Sequence, residues 1–198
     1  NVQSILQTNN PKSSLINKLF QVDRLLRSEP SVYDAQAMLK EQFNRNKRQA
    51  ALVEYLMGDS SLYAFYLTKD DFRVIQLPGT YFLEHESGDV EKSQQVRYEY
   101  NREKLNEDIR KMRASILKLK SDDFQKSAYA IYKTSIQPLE RFLDRDQVND
   151  LILVPDGSLL YVPFEALLSS GTGISEWKHM PYLIQKYNIR YTYNYKLV

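Results

Sequence analysis

The chain has 198 residues, with 27 Lys+Arg against 25 Asp+Glu, so the formal charge is only +2. Hydrophobic content of 42% and charged content of 26% are ordinary globular values, which excludes a disordered, a collagen-like or a disulfide-stapled chain. With no Cys at all, it also holds no disulfide, no thiolate metal site and no cysteine nucleophile.

No stretch reaches the roughly 18 apolar residues of a membrane span. The opening Asn1-Val2-Gln3-Ser4 has neither a basic nor an apolar leader region. A cytoplasmic location is therefore the default. The absence of an initial Met suggests a piece of a longer protein or a processed product.

Residues 11–28 carry Leu15, Leu19, Val22 and Leu26 at spacings of four, three and four, one face of a helix entered through Asn10 and Pro11. Glu29-Pro30 breaks it. Ser31-Val32-Tyr33-Asp34 has capping spacing and starts a second helix to about Arg48, with Ala35, Met38, Leu39 and Phe43 inward. The two form a helical hairpin that either covers a sheet or ends a helical-repeat region. No repeat is visible that would decide it.

From Ala51 the hydrophobic period changes to two. Strands are expected over Ala51–Met57, Leu62–Leu67 and Phe72–Leu77, with turns at Gly58-Asp59-Ser60 and Thr68–Asp71. Residues 78–91 read as an acidic surface loop. Residues 91–120 read as one long helix of about 45 Å, with Tyr98, Leu105, Ile109, Met112, Ile116 and Leu119 as its stripe. Its bases are interspersed with acids, so a solvated face is favoured over a nucleic-acid surface. Ser121-Asp122-Asp123 opens a further helix with Phe124, Ala128, Ile131 and Tyr132, divided at Pro138.

Leu151–Val154 has the uniform apolarity of a central strand buried on both faces. Pro155-Asp156-Gly157-Ser158 is a turn, Leu159–Val162 a returning strand, and Pro163 opens a short helix, Phe164–Leu168. Ile189–Tyr195 alternates as a strand.

Chemistry is sparse. Gly171-Thr172-Gly173 lacks the third Gly of a dinucleotide loop and the Lys-Ser/Thr of a phosphate loop. His85 and His179 have no nearby second His, so no metal site is expected. No Gly-x-Ser-x-Gly elbow is present. Asp156 and Glu165 could be catalytic by residue type, but Asp156 is a turn former and Glu165 suits the first turn of a helix. No catalytic, cofactor-binding or metal residue is assigned.

The run Leu151–Leu167, with Pro155, Asp156, Gly157, Pro163, Phe164 and Glu165, resembles the hallmark of the CHAT domain, the caspase-like domain associated with tetratricopeptide repeats. Leu52–Tyr63, with Gly58 and Asp59, resembles the strand that opens that domain, and Tyr182–Tyr193 the strand after its Pro-Phe-Glu helix. The resemblance divides the chain into 1–49, a helical linker or repeat tail, and 50–198, the N-terminal half of the domain. It implies a mixed, largely parallel α/β sheet flanked by helices, of caspase/separase type and incomplete. The family's His and Cys lie downstream of the matched segment, and neither His85 nor His179 aligns with that His, so no catalytic residue carries over. The eight motif residues are expected to be structural. Expected partners are proteins on the helical region, the rest of the domain, and a second copy in isolation through the sheet edge or the long helix. No cofactor or membrane is expected. Nucleic acid through helix 91–120 and a non-enzymatic interaction module remain the alternatives.

Overall fold

The computed structural model describes residues 31–77, 80–83, 94–97, 100–171, 173 and 176–192. The expected helix 11–28, His85 and residues 193–198 lie outside these.

Helix α1, Val32–Asn46, begins at a capping box. Ser31 Oγ accepts from Asp34 N–H at 3.2 Å, while the Asp34 carboxylate accepts from Ser31 N–H at 2.9 Å. That bonding holds the Asp34 carboxyl below its usual range. The helix ends at Lys47, whose left-handed φ of 58° lets its N–H bond back to Phe43 O. Ala35, Leu39 and Gln42 are buried, with Met38 beside them, and Phe43 stays at the margin.

Strands β1 (Ala50–Met57), β2 (Leu62–Leu67) and β3 (Phe72–Leu77) form an antiparallel meander, as the period-two pattern requires. Strand β6 (Asp150–Val154) then pairs parallel with β1, and β7 (Asn188–Tyr191) parallel with β6, giving the order β3-β2-β1-β6-β7. A separate two-stranded ribbon joins β4 (Thr80–Leu83) to β5 (Gln94–Arg97). Parallel pairing needs a crossover: the helices between β5 and β6 supply the one that leads to β6, and a connection of 3-10 turns between Gly157 and Gln185 supplies the one from β6 to β7.

Four of the expected elements change in extent or type. The long helix over 91–120 is shorter. Residues 94–97 are strand β5, and helix α2 runs only over Arg102–Lys118, about 25 Å. Asn101 starts it by accepting Lys104 N–H at 2.8 Å, a competing local bond that the heptad spacing from Tyr98 to Leu105 bridged over. Leu105, Ile109 and Met112 are buried, but Leu119 is the exposed left-handed cap. Within the expected loop 78–91, Thr80–Leu83 is strand β4. The expected strand Leu159–Val162 and helix Phe164–Leu168 are both 3-10 turns, Gly157–Tyr161 and Phe164–Ala166. Their bonds run Leu159 N–H to Asp156 O and Ala166 N–H to Pro163 O, each closing three residues back.

Helix α3 (Ser121–Ser135) starts at Ser121 itself and packs on α2 with Phe124, Ala128, Ile131 and Tyr132 buried. Around Pro138 a 3-10 turn, Gln137–Leu139, restarts the chain as α4 (Glu140–Arg145).

The sheet is thus a mixed one flanked by helices. On one face Ala51, Val53, Tyr55, Ala64, Tyr66, Leu151 and Leu153 join the cores of α2, α3, α4 and the 157–187 connection. On the other, Leu52, Leu67 and Ile152 meet Ala35 and Leu39 of α1. An ionic tie fixes α4 to the β2–β3 turn. Tyr66 donates its buried hydroxyl to Asp146 at 2.7 Å, and Arg145 spans Asp146 and Asp71 at 2.8 and 2.6 Å.

Candidate functional site

The site is assembled at the carboxyl ends of β1, β6 and β7, the end where open α/β sheets bind their ligands. Leaving β6, Pro155 and Asp156 carry the chain over the end of β1. Asp156 Oδ2 accepts the Met57 N–H at 2.8 Å and Oδ1 accepts Gly157 N–H at 2.8 Å. One carboxylate therefore satisfies the last amide of β1 and caps the turn that follows β6.

Gly157 has φ +57°, and a Cβ there would lie 2.9 Å from Met57 Sδ. The thioether can rotate away, so the backbone conformation is the larger obstacle. Gly157→Ala is expected to cost about 1–2 kcal/mol. Equilibrium urea unfolding checks this, and a variant as stable as the parent would contradict it.

Phe164, the Phe of the Pro163-Phe164-Glu165 turn, is fully buried between Tyr55 and Tyr191, with ring centroids at 5.8 and 6.3 Å. The Tyr191 hydroxyl, at the end of β7, accepts Phe164 N–H at 2.9 Å and donates to Glu165 Oε2 at 2.6 Å. Burial and the Glu165 carboxylate push the Tyr191 hydroxyl far above the usual phenol range, so it stays a donor at all physiological pH. Glu165 consequently serves β7 rather than a helix N-terminus, because a three-residue turn offers none. Tyr191→Phe strands the Phe164 N–H and is expected to cost about 1 kcal/mol. A thermal unfolding midpoint unchanged within error would contradict this.

Gly58 and Asp59 turn β1 toward β2. Gly58 N–H bonds Ser61 O at 2.9 Å, and the exposed Asp59 pairs with Arg102 at the start of α2. Burial, and secondly the Asp156 carboxylate, raise the Glu54 carboxyl above its usual range. His179 is exposed and faces Glu176 at 3.5 Å. No group of three or more metal-ligating side chains occurs among the described residues.

Beside the motif lies an open apolar cleft of about 610 Å³ between α2 and the end of β7, with Arg113, Ile116, Leu160, Tyr161, Pro163 and Glu165 in its wall. Arg113 sits 5.3 Å from the Tyr161 ring centroid, a cation–π contact. Sequence reasoning missed this cleft and the Tyr191–Glu165 bond. Alternation at β7 marks Tyr191 as a strand residue, and nothing in one sequence says that its hydroxyl reaches Glu165.

The molecule is a mixed α/β fold whose polar groups at this end hold strands and turns together. Residues 125–198, just over a third of the chain, match the family model of the CHAT domain, consistent with a partial domain of that kind. The match begins at Gln125 inside α3 and spans β6, the Asp156 and Phe164 turns and β7. No curated protein matches the chain. No helix among the described residues is long and apolar enough to cross a membrane.

Proposed function

We propose that this chain supplies the frame of a CHAT-type, caspase-like cysteine peptidase or peptidase-like effector, with the reacting residues outside it. The observation that carries this is the Asp156 carboxylate, both of whose oxygens are occupied by backbone N–H groups of Met57 and Gly157. A carboxylate so engaged ties the end of β1 to the turn that follows β6. In this reading residues 50–198 form the domain portion and residues 1–49 its helical linker or repeat tail, and the register of β1 on β6 supports counting β1 with the domain.

The coding sequence downstream of codon 198 tests the proposal. A His-Gly stretch and a strand-end Cys are expected there. A downstream sequence with neither favours the second reading, a non-enzymatic interaction module. That reading draws support from the exposed apolar wall of the cleft, where Leu117 is 85% and Tyr161 61% exposed.

The frame reading also bears on self-association. Among the described residues, strand β7 is an edge of the five-stranded sheet, and an edge offers unpaired backbone groups to another chain. The isolated chain is expected to form dimers or larger species in light scattering. A monodisperse monomer at high concentration would count against this. Binding of nucleic acid through α2 has less support, since Lys104 pairs with Asp108 and Lys111 with Glu107 along the helix.

A further inference from the structure

At the opposite end of the sheet, where β6 and β7 begin, a polar cavity of about 410 Å³ lies between the flank of α1 and β7. Its wall carries three guanidinium groups, Arg45, Arg48 and Arg190, with the amides of Asn46 and Asn188, against one carboxylate, Asp150. We propose that this cavity binds a phosphate group.

Asp150 is already committed. It is 2% exposed, and its Oδ1 accepts from Arg48 Nε at 2.9 Å, Arg48 Nη2 at 2.7 Å and Asn188 Nδ2 at 3.1 Å. Its other oxygen faces Gln42 Nε2 at 3.4 Å. Arg190 has no close ion pair among the described residues, only the longer-range attraction of Asp150, and Arg45 has a distant one, 4.0 Å from Glu41. Register places Arg190 opposite Ile152, whose side chain meets α1, so Arg190 lies on the α1 face of the sheet. Asn46 Oδ1 accepts Arg48 N–H at 2.9 Å, which leaves its Nδ2 as a further donor.

Counted over the wall, the charge is 3 − 1 = +2. The carboxyl end of α1 opposes an anion with about half a charge, and Glu41 adds one at the rim, so the sum stays positive. Guanidinium forks match phosphate oxygens two at a time, which an ammonium does not. The molecule's other arginine cluster shows the contrast. There Arg73, Arg141 and Arg145 gather on the Phe142 ring, and Arg73 and Arg145 are held by Asp71 and Asp146 at 2.6–2.8 Å.

Thermal unfolding of the 198-residue chain with inorganic phosphate and pyrophosphate, against sodium chloride at matched ionic strength, tests the site. Both anions are expected to raise Tm saturably above the chloride control. The R45Q/R190Q variant should need about tenfold more anion, while R141Q, outside the cavity, should behave as the parent. If the double variant does not fold, R190Q alone, an exposed edge-strand change, serves. No shift beyond chloride, or the same midpoint in the variant, would overturn the proposal. A phosphoserine tripeptide run in parallel separates the sources. Tighter binding of the peptide than of inorganic phosphate assigns the site to a phosphorylated chain, and the reverse assigns it to free phosphate.

Discussion

Phe164→Ala is expected to destabilise the chain by about 3–5 kcal/mol, the range for removing a fully buried aromatic ring. For a chain of this size that lowers Tm by roughly 10 °C. The ring is 0% exposed and is held between Tyr55 of β1 and Tyr191 of β7. Tyr55 in turn donates its hydroxyl to Ser135 O at 3.0 Å, at the end of α3. The cavity left by the ring would be framed by strands and a helix that cannot collapse independently, so the cost should fall at the upper end. Chemical denaturation measures it. A loss under about 1 kcal/mol would show that the turn contributes little to the core.

Asp150→Ala is the second large effect, about 1.5–3 kcal/mol near neutral pH, in line with hydrogen bonds to a charged group. A fully buried ion pair would lose more, but Arg48 is half exposed and recovers hydration when its partner goes. The effect has a pH signature. Burial works to raise the Asp150 carboxyl, but the bonds from Arg48 and Asn188 outweigh it, and the net direction is down. An acid held low in the folded state adds stability above its unfolded value, near pH 4, and loses it as pH falls through the folded one. The gap between parent and variant should therefore be flat from pH 5 to 8 and narrow below pH 4. A gap that widens on acidification would contradict the assignment.

Much of the architecture is legible in the sequence because the apolar pattern is local. Ala51, Val53 and Tyr55 alternate with Leu52 because β1 is buried toward α2 and α3 on one face and toward α1 on the other. The uniform run Leu151–Val154 announces a strand covered on both sides, as β6 is. Pro155-Asp156-Gly157 announces a turn. Its 3-10 continuation was not legible, since Leu159–Val162 is as apolar as a strand, and the decision is made by the Asp156 cap and the positive φ of Gly157. The helix over 91–120 was overextended for a related reason. A seven-residue spacing from Tyr98 to Leu105 reads as heptad, whereas the Asn101 cap breaks it. The phosphate cavity was invisible, because Arg45 and Arg190 stand 145 positions apart and only the parallel placement of β7 beside β6 brings them to one wall.

The central claim is that Asp156 and Glu165 hold the frame and perform no reaction. The direct measurement is cleavage of a fluorogenic peptide library by the purified 198-residue chain, alongside its D156N and E165Q variants. The account predicts no turnover above blank from any of the three, and a lower Tm for both variants. Turnover by the parent that D156N or E165Q abolishes while leaving Tm unchanged would contradict it.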